Sequence, residues 1–243
     1  MIHFVVPFYN NEKNLEDSIL ILSEFLAHHL KEDYEIVLSN DGSQDRSLEI
    51  AQKLADSIPK VRLVSYSPNR GRGFAVKHAS RSCQGEFLIY ADVDFPQTTR
   101  LEHILPMLDC LRRNQIVVGS RFLKDSRTQR IWLRKVVGIV HRLMIKTIFF
   151  GLGVEDPDVG FKGFMLPALK RMIAVSRMDR WSWDLEMLVI ARRNGLSIAE
   201  IPIDWNEKYE QYVSSVRLFR DAWEELMGMI RIKTNLVKRL YDF

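Results

Sequence analysis

Cysteine is almost absent from this chain: Cys83 and Cys110 are the two in 243 residues, and both stand in stretches that read as helical. Two thiols so placed exclude a disulfide-stapled secreted scaffold and a cysteine-based metal site, and they fit a reducing compartment. No run of eighteen apolar residues occurs, so nothing in the sequence reads as a membrane-spanning helix. The opening Ile2-His3-Phe4-Val5-Val6 lacks the basic leader and small-residue cleavage site of a secretory signal, and a cytoplasmic location is expected. A net charge of +4 is too small to argue for nucleic acid. The six histidines, His3, His28, His29, His78, His103 and His141, show no metal-binding spacing and read as structural. Internal repeats and low-complexity linkers are missing too.

What is present is the balance of a soluble globular domain, 47% hydrophobic and 27% charged, with a length suited to one α/β core over residues 1–243. Short apolar runs rich in β-branched residues, at 2–6, 35–38, 61–64, 87–90 and 116–118, predict strands. Between them, Leu15, Ile19, Leu22, Leu26 and Leu30 recur at helical spacing, as do Leu48, Ala51, Leu54 and Ala55 after the capping signal Ser43-Gln44-Asp45. Strands alternating with helices imply a mainly parallel twisted sheet with right-handed crossovers. After Ser120 the alternation lapses into a basic and apolar segment that reads as an insertion over the sheet. Between 121 and 150 it holds Arg121, Lys124, Arg127, Arg130, Arg134, Lys135, Arg142 and Lys146 against Asp125 as sole acid, and so calls for an anionic neighbour. A helix at 183–194, a strand at 197–203 and a final amphipathic helix follow, the last with Val216, Phe219, Ala222, Trp223, Leu226 and Ile230 on one face.

Ligands of parallel α/β sheets bind beyond the carboxyl ends of the strands. Four such ends carry Pro7-Phe8-Tyr9-Asn10-Asn11-Glu12, Asn40-Asp41-Gly42-Ser43, Asn69-Arg70-Gly71-Arg72-Gly73 and Asp92-Val93-Asp94. Asp92 and Asp94, two apart after an extended run, point the same way and suit Mg²⁺ or Mn²⁺, which would keep positions open for phosphate oxygens. The alternative is a solvated acidic turn. Gly71 and Gly73 before a helix suggest close backbone approach to a ligand, with Arg72 or Lys77 near phosphate, or simply a glycine turn. Val76 at the third glycine position argues against a dinucleotide-binding oxidoreductase. Trp181 and Trp183 read as core.

Taken in order, Val6-Pro7-Phe8-Tyr9-Asn10, Asn40-Asp41-Gly42-Ser43, Asn69-Arg70-Gly71-Arg72-Gly73-Phe74-Ala75-Val76, Asp92-Val93-Asp94 and Gly119-Ser120-Arg121 resemble the family 2 glycosyltransferases. Asp156-Pro157-Asp158-Val159-Gly160-Phe161-Lys162 and Arg180-Trp181-Ser182-Trp183-Asp184-Leu185-Glu186 are similar to the polyprenyl-phosphate sugar transferases, the dolichyl-phosphate glucosyltransferase and mannosyltransferase-like branch. The resemblance implies a GT-A fold and inverting transfer of a hexose from a UDP- or GDP-sugar to a polyprenyl phosphate. It divides the chain into a nucleotide-sugar-binding half (1–120), an acceptor-binding half (121–212) and a C-terminal amphipathic helix (213–243).

Carried over by position, Pro7, Tyr9, Asn11, Glu12, Asp41, Gly71, Gly73 and Lys77 would serve the donor, and Asp92 and Asp94 the Mg²⁺ or Mn²⁺. Arg121, Arg134 and Lys162 would serve the acceptor phosphate, and Arg121 and Asp184 catalysis, with Asp184 acting as base or only orienting its neighbours. Asn11 and Asn40 stand where acids are common, and Phe95-Pro96 departs from the residues that often follow the acidic pair. A saccharide or other hydroxyl acceptor, and a non-catalytic nucleotide-sugar-binding protein, stay open as alternatives. The apolar residues interleaved with bases between 131 and 145 predict peripheral binding to the cytoplasmic face of a membrane. A homo-oligomer is left open.

Overall fold

The computed structural model describes residues 1–129, 132–149, 151–206 and 218–243, with the backbone alone for 132–137 and 218–222. Strands β1 (Ile2–Phe8), β2 (Tyr34–Asp41), β3 (Val61–Tyr66), β4 (Phe87–Ala91) and β5 (Ile116–Ser120) form where the apolar runs predict them, each slightly longer than its run. Helices α1 (Leu15–His29), α2 (Ser47–Ser57) and α3 (Arg72–Ser80) alternate with the first strands, and α4 (Phe95–Thr98) and α5 (Ile104–Leu111) lie between β4 and β5. In α1 the predicted stripe of Leu15, Ile19, Leu22 and Leu26 is the buried one. Helix α2 starts later than its capping signal suggests, because Asp45 accepts the Ser47 amide at 3.0 Å and so caps from two residues away.

Beyond Ser120 come β6 (Thr128–Gln129), α6 (Trp132–Ile148), β7 (Phe161–Met165), α7 (Leu166–Val175), α8 (Trp183–Arg193), β8 (Ile198–Pro202), β9 (Trp205–Asn206) and α9 (Leu218–Val237). Here the structure corrects the expectation of an insertion lying wholly over the sheet. The chain leaves as β6 and α6, then returns through the middle of the sheet as β7. The seven-stranded order is β3-β2-β1-β4-β7-β5-β8, parallel except for β7, which runs antiparallel to both β4 and β5. Lys162 and Gly163 break the apolar run of β7, which is why no strand is legible there. Strands β6 and β9 make a separate two-stranded ribbon.

Helix α9 departs from expectation in which face it buries. Met229 and Ile232 pack into the core, whereas Trp223 and Ile230, on the predicted apolar face, are exposed. Val216 lies outside the described residues, as do the side chains of Phe219 and Ala222. The C-terminal Tyr241 is buried against α8 and α9 through Glu186 and Asn235.

The register puts the ends of β1, β2, β4 and β5 on one edge: Phe8 lies beside Asn40, Asp41 beside Tyr66, Ala91 beside Phe161 and Ser120 beside Pro202. Because β7 runs the other way, it begins where β4 and β5 end, and this brings the 155–160 loop to the same edge.

Candidate active site

The acidic turn follows β4 at the edge where β1, β2 and β5 also end. Val93 and Phe95 are buried in the core, and Asp92 and Asp94 are half-buried. The Asp92 amide donates to the Gly160 carbonyl at 2.8 Å, and a Cβ at Gly160 would run into the Asp92 carboxylate, so only glycine fits there. Arg72, the first residue of α3, donates to Asp92 Oδ2 at 2.9 Å and pairs on its other side with Asp184. Phe95 stacks on Phe161 at 4.3 Å and supplies no ligand. Among the described residues no cluster of three or more His, Cys, Asp or Glu could hold a metal alone. Two hard carboxylate oxygens backed by a glycine cradle do fit Mg²⁺ or Mn²⁺ that takes its other ligands from phosphate and water.

Behind this turn lies a fully buried charge network. Asp184, the second residue of α8, receives Arg72, the Tyr90 hydroxyl and Lys162 Nζ, the last at 2.6 Å. Lys162 also donates to the Val159 carbonyl at 2.6 Å. Burial pushes the Lys162 ammonium below its ordinary range, with Asp184 partly restoring it. These contacts correct two expectations. Lys162 is enclosed and cannot meet an acceptor phosphate at the surface. Asp184 is fully buried with both oxygens engaged by cations and a phenol, so it does not stand at the surface as a catalytic group.

The expected donor residues fall into two groups. Tyr9, the residue after β1, is 40% exposed. Pro7 is buried within β1. The other polar groups around it serve the fold. Asn11 Oδ1 accepts the Tyr9 amide at 3.1 Å, and Glu12 accepts the Arg46 amide at 3.1 Å, locking the 9–12 loop onto the 43–47 loop. Asp41 accepts four hydrogen bonds, from the Arg70 and Gly71 amides, the Tyr66 hydroxyl and Asn69. Its carboxylate therefore builds the glycine loop, rather than standing ready for a nucleoside.

The glycine loop itself faces the 179–183 segment. A Cβ at Gly71, whose φ is +103°, would sit 2.7 Å from Arg180 Cγ, and one at Gly73 would strike the Trp183 side chain. Lys77 donates to the Met178 carbonyl at 2.8 Å and pairs with Asp179 at 2.5 Å, so it too is turned away from the cleft. Trp183 is core, as its sequence predicts; Trp181 lies under the Arg72 guanidinium at 5.0 Å.

On the other side of β7, Arg121 follows β5. Its backbone amide and guanidinium bind Asp156 at 2.9, 2.7 and 2.8 Å, and its guanidinium lies 5.2 Å from the Trp205 ring. Burial alone would raise the Asp156 carboxyl, but Arg121 holds it below the usual carboxylate range. Glu200 of β8 accepts the amides of Glu155 and Asp156 at 2.8 and 3.1 Å and so fixes this loop. The basic segment finds internal partners as well: Arg142 and Lys146 pair with Glu155, and His141 with Asp158 at 2.8 Å. The Arg134 side chain lies outside the described residues. Asp179, Glu200 and His141 carry no local motif; each acts on residues distant in the chain, as Asp179 does on Arg70 at a separation of 109.

Comparison with known proteins shows the family and the fold. The glycosyl transferase family 2 model matches residues 3–174. The dolichyl-phosphate beta-glucosyltransferase ALG5D of Trichomonas vaginalis is 32% identical over 98% of this chain and 72% of its own. The dolichyl-phosphate beta-glucosyltransferase of Homo sapiens is 32% identical over 84% of this chain and 66% of its own. Among solved structures, glucosyl-3-phosphoglycerate synthase of Mycobacterium tuberculosis, in complex with Mn²⁺, UDP and phosphoglyceric acid, superposes with a TM-score of 0.70 at 17% identity over 99% of this chain and 78% of that one. The fold is GT-A, and the chain belongs to glycosyl transferase family 2.

Proposed function

We propose that this glycosyltransferase moves a hexose, with inversion, from a UDP- or GDP-sugar to a polyprenyl phosphate of the dolichyl type. The observation that carries the reading is the placement of two charged stations on one edge of the sheet. Asp92, Asp94 and Arg72 stand at the end of β4, and Arg121 stands at the end of β5, with β7 between them. Two strand spacings separate the stations by about 10 Å, room for a diphosphate and a second phosphate side by side. The dolichyl-phosphate transferases among the relatives point to the same acceptor.

Asp92 and Asp94 would hold the Mg²⁺ or Mn²⁺. That ion would supply charge neutralisation on the departing diphosphate. Tyr9 would lie against the nucleoside base and Arg72 beside the diphosphate. Arg121 would orient the acceptor phosphate, whose second pKa near ~6 leaves its oxygen mostly ionised at neutral pH. That oxygen bonds to the anomeric carbon as the bond from that carbon to the diphosphate oxygen breaks on the opposite face. No general base is needed, which accords with an Asp184 wholly committed to Arg72, Tyr90 and Lys162.

The membrane is the source of such an acceptor. Helices α6 and α9 expose Ile139, Val140 and Leu143 together with Trp223, Ile230 and Val237, and Lys233 and Lys238 lie among the latter. No helix among the described residues is long and apolar enough to cross a membrane. Peripheral docking through this face, on the cytoplasmic side, is therefore part of the proposal. Since Arg142 and Lys146 are already paired with Glu155, apolar contact carries more of that docking than charge does.

The test is product identification. Purified protein is incubated with a panel of UDP- and GDP-sugars, polyprenyl phosphate and Mg²⁺ or Mn²⁺, and the products are read by mass. A polyprenyl phosphate hexose is expected from one donor; a glycosylated saccharide with no lipid product would replace this acceptor.

A further inference from the structure

Asp179 lies outside every motif named above, yet it holds the glycine loop from the side opposite Asp41. Its backbone carbonyl accepts the Phe74 amide at 2.9 Å. Its carboxylate takes Arg70 Nη2 at 3.0 Å and Lys77 Nζ at 2.5 Å. Asp41 grips the Arg70 and Gly71 amides from β2. Because Gly71 and Gly73 carry no Cβ, the loop backbone presses directly on residues 179–183.

The turn that carries Asp179 is itself anchored. Glu186, fully buried in α8, accepts the Ser176 hydroxyl at 2.6 Å and the Arg177 and Met178 amides at 2.8 and 3.0 Å. The Tyr241 hydroxyl closes the same carboxylate at 2.8 Å. Residues between α7 and α8 that would otherwise leave backbone donors unpaired are thus held in one arrangement. Asp179 cannot shift without breaking this set.

We infer that Asp179 is a positioning residue for the nucleotide-sugar site, acting by sorting the cations of the glycine loop. It draws Arg70 and Lys77 to its own side and leaves Arg72 at the acidic turn, where Arg72 meets Asp92. Without Asp179, Arg70 loses its ion pair and Lys77 keeps only the Met178 carbonyl, the loop loses one of its two carboxylate holds, and the backbone that carries Arg72 to Asp92 and Asp184 is held less firmly. The inference rests on the donor reading above, because the ligand that gains from a fixed Arg72 is a nucleoside diphosphate.

The experiment compares wild type, Asp179→Asn and Asp179→Glu for binding of UDP and of GDP by calorimetry with Mn²⁺ present. It also records separate KM values for donor and acceptor and amide exchange over residues 69–77 without ligand. Asp179→Asn is expected to weaken binding of the nucleotide that wild type takes by about tenfold. The donor KM should rise with it, the acceptor KM should hold, and exchange at 70–74 should speed up. Asp179→Glu should recover part of the binding. The double variant Asp179→Asn with Lys77→Gln avoids stranding a buried ammonium and is expected to show the same donor loss if the single variant does not fold. Nucleotide binding by the foldable variant within twofold of wild type, or an equal rise in acceptor KM, overturns the proposal alone. Wild-type protein that binds neither nucleotide overturns the donor reading and this inference with it.

Discussion

Two loops of this enzyme are held by carboxylates on either side of β7, and they are held differently. The glycine loop is gripped by Asp41 and Asp179 through backbone amides as well as side chains, with Glu186 bracing the second of these. Arg121 is gripped by Asp156, braced in turn by Glu200. The first arrangement fixes a backbone and resists exchange. The second also holds the Arg121 amide, but it pairs a planar guanidinium with a carboxylate in the forked geometry that a phosphate satisfies as well, so under the proposed function an incoming phosphate would share that fork. On that reading the β4 side is built in advance, while the β5 side would keep a charge that can change partner.

The largest expected effect lies at the acidic turn on the built side. Asp92→Ala, Asp94→Ala, or exhaustive chelation should lower turnover by about a thousandfold, since a single Arg72 guanidinium cannot replace a divalent ion in neutralising the leaving diphosphate. Near-wild-type rates after EDTA treatment would remove the metal from the account. Next is the exchangeable side. Arg121→Ala should reduce kcat/KM for the acceptor by about a hundredfold with the donor KM unmoved, and Arg121→Lys should recover only part, because the fork is lost. A donor KM that moves equally would erase the distinction between the two sides.

The buried network gives a stability prediction instead of a kinetic one. Asp184→Asn leaves Arg72 and Lys162 facing a neutral amide with Lys162 wholly enclosed, and should cost about 3 kcal/mol in urea unfolding. Turnover at low temperature should remain substantial, as suits an orienting group. A dead enzyme of unchanged stability would make Asp184 a base and favour a hydroxyl acceptor.

The smallest effect concerns the cover over the second half. His141 on α6 faces Asp158 and Glu225; burial opposes its charge, but these two carboxylates raise its pKa to about 10. A histidine raised in the folded state stabilises fully below its unfolded value near ~6.5 and loses that contribution as pH climbs through the folded value. The stability gap between wild type and His141→Gln should therefore be widest below about pH 6.5 and close as pH rises through about 10. A gap independent of pH would mean that the pair contributes packing alone.

How much of this was legible in the sequence follows the same division. The strands of residues 1–120 are readable because each is an uninterrupted apolar run, and the place of Asp92 and Asp94 at the sheet edge because they follow one such run. Strand β7 is not, since a buried Lys162 and a Gly163 interrupt its pattern, and a lysine is enclosed only when tertiary partners such as Asp184 and Tyr90 accept it. Asp41, Glu12 and Lys77 stand at the edge that the sequence predicts, but their hydrogen bonds go to loops about 30 to 100 residues away, and the Asn11 side chain closes its own turn on Tyr9. The role of His141 is not legible locally, because its carboxylate partners Asp158 and Glu225 come from other parts of the chain.

The central claim is that the acceptor's nucleophile is a phosphate. Polyprenyl phosphate and the matching polyprenol, offered at equal concentration with the same donor and Mn²⁺, separate the two chemistries in one initial-rate measurement. The account predicts rapid transfer to the phosphate and none above background to the alcohol; comparable transfer to the alcohol would contradict it.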